Sequence, residues 1–165
     1  MKFLFYMDPF VDVAEDSFVD RSYVLRYELM PGSLKRQLKK GDELLVLCLK
    51  ELIELNELEK IFRRDKIPHS TIAKEEITSF LSKVKGSIKD FIRESLTEAQ
   101  KKNVFEFISK KIGNFKPDII LGWGMVPSYL QELFPAALIL ECEHSAFSRI
   151  VGEADFIATP KGEKD

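Results

Sequence analysis

The densest group of ionisable side chains lies in one short segment near the carboxyl terminus: Glu141, Glu143 and His144. A carboxylate and an imidazole together could carry out acid–base catalysis or hold a cation. Successive residues of an extended segment point to opposite sides, so only Glu141 and Glu143 would converge, and we predict no metal site. A polar loop after a buried strand explains the same residues without chemistry, and the pattern leaves both interpretations open.

The chain's only tryptophan, Trp123, stands between Gly122 and Gly124 and is followed by Met125. Glycine lets the backbone approach a ligand closely, and an indole ring at a strand end can stack on a sugar ring or a base. The alternative is a tight turn in which Trp123 covers the core. The segment is not a dinucleotide fingerprint, because the third glycine is missing, and the chain has no P-loop.

Two further segments supply polar or aromatic candidates for ligand binding. The first contains Asp8 and Phe10, and the second contains Ser145, Ser148 and Arg149. Arg149 could hold a carboxylate or phosphate through two parallel hydrogen bonds, or it could pair with Glu153. No serine lies in a GxSxG pattern, so a serine hydrolase is unsupported.

Apolar runs and helical periodicity predict the elements that position these residues. We predict strands at residues 3–7, 44–49, 66–72, 119–121, 136–140 and 155–159. Helices are expected over 17–40 with an interruption at Pro31-Gly32, from Asn56 to 64, over 74–112, and over 128–134. A capping box at Thr97–Gln100 is expected to start a fresh helix within the third of these stretches.

The alternation of strands and helices predicts an α/β fold with an open, mostly parallel, Rossmann-like sheet and helices on both faces. Right-handed crossovers give the order 3-2-1-4-5, with a possible sixth strand beyond. Ligands should then bind at the carboxyl ends of the first and fourth strands, where the order reverses. Residues 1–159 are expected to form one domain, and residues 160–165 a flexible tail or the start of an inter-domain linker.

The composition limits the class of protein. The chain has 165 residues, 45% hydrophobic and 32% charged, and a formal net charge of -2, which argues against nucleic acid as a partner. Cys48 and Cys142 show no metal-ligand spacing and are expected to be reduced, as in a cytoplasmic protein. No run approaches the roughly 20 apolar residues of a membrane span. Peripheral attachment at the inner face of a membrane stays open.

Three segments resemble a known family. Phe115-Lys116-Pro117-Asp118-Ile119-Ile120-Leu121-Gly122 resembles the "PD-strand-glycine" segment in amino-terminal domains of GT-B glycosyltransferases. Residues 154–160 resemble the segment that precedes the crossing to the second domain of those enzymes. Residues 133–149 are similar to bacterial surface-polysaccharide transferases of this class. The likeness covers most of the chain as an order of elements, through short motifs of low specificity.

The resemblance implies a division of labour between two domains. This domain would bind a carbohydrate acceptor, and one of Asp8, Glu143 or His144 would act as general base. The nucleotide-sugar donor would bind a second domain or polypeptide, which this chain lacks, so the domain alone would hold no cofactor and be inactive. A domain without its partner would also expose apolar surface and favour self-association.

Two other classes remain open beside the transferase. The absence of a strong catalytic motif is equally typical of a non-catalytic, doubly wound regulatory or interaction domain. A small nucleotide-binding enzyme with an atypical loop is the third interpretation, and it predicts nucleotide binding by this chain alone.

Overall fold

The computed structural model describes residues 1–7, 31–50, 52–87, 90–91, 95–123, 126–142 and 156–158. Within these ranges, six strands form one parallel sheet: β1 (Lys2–Met7), β2 (Glu43–Lys50), β3 (His69–Ala73), β4 (Ile119–Trp123), β5 (Leu138–Cys142) and β6 (Phe156–Ala158). The strand order is β3-β2-β1-β4-β5-β6. The predicted α/β class and the order 3-2-1-4-5 are therefore confirmed, and the sixth strand lies beyond β5.

Four helices have both ends within the described residues: α1 (Leu52–Arg64), α2 (Lys74–Lys83), α3 (Glu98–Ile112) and α4 (Ser128–Leu133). Residues 31–37 are also helical. The predicted start of α1 at Asn56 is wrong. The helix begins at Leu52, and Leu55, Leu58 and Phe62 are buried at helical spacing, so the apolar face of the helix already includes residue 55.

The central strands are apolar because both of their faces are covered. On one face, Leu4 and Tyr6 of β1 join a core cluster with side chains of α2, α3 and α4. On the other face, Phe5 and Met7 join a second cluster with α1 and with the helical segment 31–37. Alternate residues of a strand point to opposite faces, so an uninterrupted apolar run such as Leu44–Leu49 serves both cores.

The predicted edge strand is present but shorter than expected. β3 lies at the edge of the sheet and begins at His69, directly after Pro68, which cannot donate to a strand ladder. The preceding turn passes through Lys66, whose φ of 53° lies in the left-handed region.

Two strands next to the predicted site continue further than the sequence indicated. β4 was expected to end at Leu121, but it continues through Gly122 and Trp123. β5 was expected at 136–140, but it spans Leu138–Cys142 and therefore contains Glu141. Both strands continue as far as they pair with each other, although glycine and glutamate have a weak preference for strands.

No helix within the described ranges is both long enough and apolar enough to cross a bilayer.

Candidate functional site

The order of the strands reverses between β1 and β4, and this is the switch point at which open α/β sheets bind ligands. The carboxyl ends of three adjacent strands are level here. Met7 pairs with Trp123, and Trp123 pairs with Cys142. The last residues of these three strands therefore lie together at the carboxyl end of the sheet.

One row of residues crosses these strands just before their ends. Tyr6 of β1 pairs with Gly122 of β4, which pairs with Glu141 of β5. Residues in register on parallel strands share a face, and all three are buried. Because Gly122 has no side chain, nothing from β4 separates the side chains of Tyr6 and Glu141.

Glu141 is the one buried charged residue of the described core, with 5% of its surface exposed. Its Oε1 accepts a hydrogen bond from the Val126 N–H at 2.6 Å. Its other oxygen has no hydrogen-bond partner among the described residues. Burial raises the pKa of this carboxyl above its ordinary value, and the Val126 N–H opposes the rise only in part.

The contact fixes the backbone that leads into α4. Val126 follows the connection from β4, and its carbonyl accepts a hydrogen bond from the Gln131 side-chain Nε2 at 3.1 Å. Both polar groups of the Val126 backbone are thus held by side chains, one from β5 and one from α4. Glu141 therefore positions Val126, two residues before α4 begins.

A second polar contact on the same face joins β1 to α4. The hydroxyls of Tyr6 and Tyr129 lie 3.0 Å apart and are buried. A buried tyrosine hydroxyl needs a partner, and each of these supplies one for the other. The Tyr129 ring also packs against Phe91, with centroids 5.1 Å apart. Helix α4 is consequently tied directly to β1, which borders the switch point, and through Val126 to β5.

This arrangement can offer a ligand both kinds of hydrogen-bonding group. A carboxyl whose pKa is raised keeps its proton to higher pH, so it can donate as well as accept a hydrogen bond. Hydroxyl groups, which both donate and accept, are natural partners for such a group. The described part of the chain contains no group of three or more histidine, cysteine, aspartate or glutamate residues placed to hold a metal ion.

The structure places only part of the predicted site. Gly122 and Glu141 are adjacent across β4 and β5, and Trp123 is the last residue of β4. The other candidates lie outside the described residues: Asp8, Phe10, Gly124, Met125, Glu143, His144, Ser145, Ser148 and Arg149. Glu141 differs from the expectation, because it lies within a strand and not in the segment after it.

Sequence reasoning missed Tyr6, Tyr129 and Gln131. A tyrosine inside an otherwise apolar strand was the available signal for Tyr6, since a phenol buried by two helical layers must find a hydrogen bond. Its partner Tyr129 is far away in sequence, and only the fold brings them together.

No protein-family model matches this chain, and no curated protein matches its sequence.

Proposed function

We propose that this chain is the acceptor-side domain of a GT-B glycosyltransferase that acts in polysaccharide or glycoconjugate synthesis. The observation that carries the proposal is the buried Glu141 carboxyl on β5, next to β4, with one oxygen that has no hydrogen-bond partner among the described residues. A carbohydrate presents hydroxyl groups that suit such a carboxyl. The three segments that resemble these transferases include β4, and their order fits the observed sheet.

The proposal assigns separate tasks to two domains. This domain binds the acceptor hydroxyl at the carboxyl ends of β1, β4 and β5, with one of Asp8, Glu143 or His144 as general base. The donor nucleotide sugar binds a second domain, either in the same gene product or on a partner polypeptide. Trp123 stacks on the acceptor sugar in this scheme.

The test is a transfer assay on the complete native gene product. Labelled sugar is followed from a panel of nucleotide sugars to carbohydrate acceptors from the same cells. His144→Ala is expected to lower transfer by roughly 100-fold or more, as loss of a general base does. His69→Ala is the matched control, because His69 is the chain's other histidine and lies on the edge strand β3. Asp8→Ala and Glu143→Ala are assayed in the same way, and transfer at the wild-type rate by all three variants would remove the site from the proposal.

Calorimetry of this chain alone with nucleoside mono- and diphosphates distinguishes the acceptor-side domain from a small nucleotide-binding enzyme. The acceptor-side domain is expected to give no saturable heat. Saturable nucleotide binding would favour a small nucleotide-binding enzyme instead.

A further inference from the structure

Two basic runs that are distant in sequence form one surface in the fold. The Lys35 ammonium donates to the carbonyl of Asp65 at 2.8 Å and also to the carbonyl of Lys66. Leu34 and Leu38 pack beside α1 in the second core cluster. The helical segment 31–37 and the end of α1 are therefore joined. We call the surface they share the basic edge: Arg36, Lys39, Lys40, Arg63, Arg64 and Lys66, all exposed.

The basic edge lies at the amino-terminal side of the sheet. Lys39 and Lys40 precede β2, and Lys66 precedes β3, while the candidate site lies at the carboxyl ends. Arg63 and Arg64 are in the last turn of α1, where cations also complement the helix dipole. The dipole explains two of the six charges and leaves the others unexplained.

The acidic groups of this region already have partners. Asp65 pairs with Arg64 at 2.8 Å, and that contact, with smaller contributions from Arg36 and Lys35, lowers the pKa of Asp65. Glu59 pairs with Arg63, and Asp42 with the amine of Met1. Within the described part of the chain, four cations of the basic edge take part in no ion pair: Arg36, Lys39, Lys40 and Lys66. A chain of net charge -2 thus carries a local positive excess.

One exposed apolar side chain belongs to a residue beside these charges: the Met1 amine contacts Asp42, which also accepts a hydrogen bond from the Lys39 N–H. Of the residues whose side chains the structure describes, only Met1 and Leu138 are large hydrophobics with more than a third of their surface exposed, at 63% and 36%. Both stand at strand amino ends, of β1 and β5. Among the residues whose side-chain burial the structure describes, no large aromatic is exposed to this degree.

We propose that the basic edge, together with the adjacent Met1, docks on an anionic lipid bilayer. Unpaired lysine and arginine beside an exposed apolar side chain are a combination that anionic membrane surfaces attract. The Lys and Arg groups contact the acidic headgroups, and Met1 reaches the apolar boundary. This inference does not depend on the transferase proposal, because the basic edge lies at the amino-terminal ends of the strands and the candidate site lies at their carboxyl ends.

The test is flotation of the whole chain with phosphatidylcholine vesicles that do or do not contain a third of phosphatidylserine. Binding is expected only with the serine lipid, and it should weaken as salt is raised. The variant Lys39→Glu, Lys40→Glu, Lys66→Glu is expected to bind at least about 100-fold more weakly, because each charge near the surface contributes about fivefold and the loss of three alone gives about 100-fold.

The control variant is Lys83→Glu, Lys102→Glu, Lys110→Glu. It changes the net charge equally at three exposed lysines of α2 and α3. It is expected to retain at least half of the binding, and circular dichroism checks that both variants fold. Equal loss in both variants, or no flotation of the wild type, would overturn the proposal. Retention on immobilised polyglutamate without vesicle binding would also overturn it, in favour of an acidic polypeptide as partner.

Discussion

Glu141 shows how one residue can be recognised as unusual and yet be placed wrongly. Its neighbours Glu143 and His144 suggested a polar loop after the fifth strand. The structure puts Glu141 inside β5, buried, with its Oε1 on the Val126 N–H at 2.6 Å. The residue type suggested a role in acid–base catalysis. The direction of its side chain depends on the register of β5 against β4, which a single sequence does not reveal.

The raised pKa of Glu141 has a defined effect on stability. The folded state keeps the proton at pH values where the unfolded chain has released it, so folding is favoured fully below the ordinary glutamate pKa. Stability is then lost as pH rises through the folded-state pKa. Glu141→Gln keeps an oxygen for the Val126 N–H and cannot ionise. The melting temperature of this variant should exceed that of the wild type. The difference between the two should increase from acidic to neutral pH and then stay constant.

Thermal melts at a series of pH values measure this gap. Glu132→Gln, on the exposed side of α4, is the control for loss of a carboxylate. A gap for Glu141→Gln that stays constant at every pH would contradict the assignment. Glu141→Leu should lower stability at all pH values by about 1–3 kcal/mol, because the buried Val126 N–H loses its acceptor.

At the scale of elements, the start of α3 is the feature that sequence predicted most completely. Thr97 accepts from the Gln100 N–H, and the Gln100 side chain accepts from the Thr97 N–H at 2.8 Å. All of these groups lie within four residues, so the pattern is visible in the sequence. Gln100 also donates to the carbonyls of Val84 and Lys85, which links the start of α3 to the end of α2. That second link was not predictable.

Thr97→Ala is expected to destabilise the protein by about 1 kcal/mol, because an orphan N–H of α3 loses its acceptor. Thr97→Ser keeps the hydroxyl and should cost much less. Urea denaturation of the two variants gives both values. Equal losses for alanine and serine would show that the threonine methyl, and not the cap, is responsible.

Strand ends were less predictable than helix starts. The break expected at Gly122 did not occur, because Gly122 is held between Tyr6 and Glu141 in a ladder that has strands on both sides. A helix cap is decided by neighbours in sequence. A strand end is decided by neighbours in space, and these are contributed by residues more than a hundred positions away in the case of β1 and β4.

At the scale of the whole molecule, the sheet order followed from the alternation of elements and the right-handed rule for crossovers. The order also gives the general position of the candidate site, at the carboxyl ends of β1 and β4. Of the residues described near it, Gly122 and Glu141 could be proposed from the sequence, whereas the hydroxyl contact between Tyr6 and Tyr129 could not, because it spans most of the chain. Similarly, the two basic runs were visible in the sequence, and their union through Lys35 was not.

The central place of β1 has a consequence for the order of events during synthesis. β1 and β2 can pair once residue 50 has been made, but the other edge of β1 waits for β4 at residues 119–123. At ordinary rates of translation the delay is roughly 4–14 s. Through that interval one of the most apolar strands of the chain presents unpaired backbone groups, which are a template for pairing with a second nascent chain.

A truncated chain of residues 1–117 should therefore associate, whereas the whole chain should do so much less. Light scattering at equal concentrations compares the two, and a truncated chain that also carries Phe5→Lys in β1 provides the control. Scattering that is unchanged by this charge would exclude the β1 edge as the contact. Where β1 is the contact, chaperones must cover its unpaired edge while the chain is being synthesised. They are no longer needed there once β4 has been made and pairs with β1.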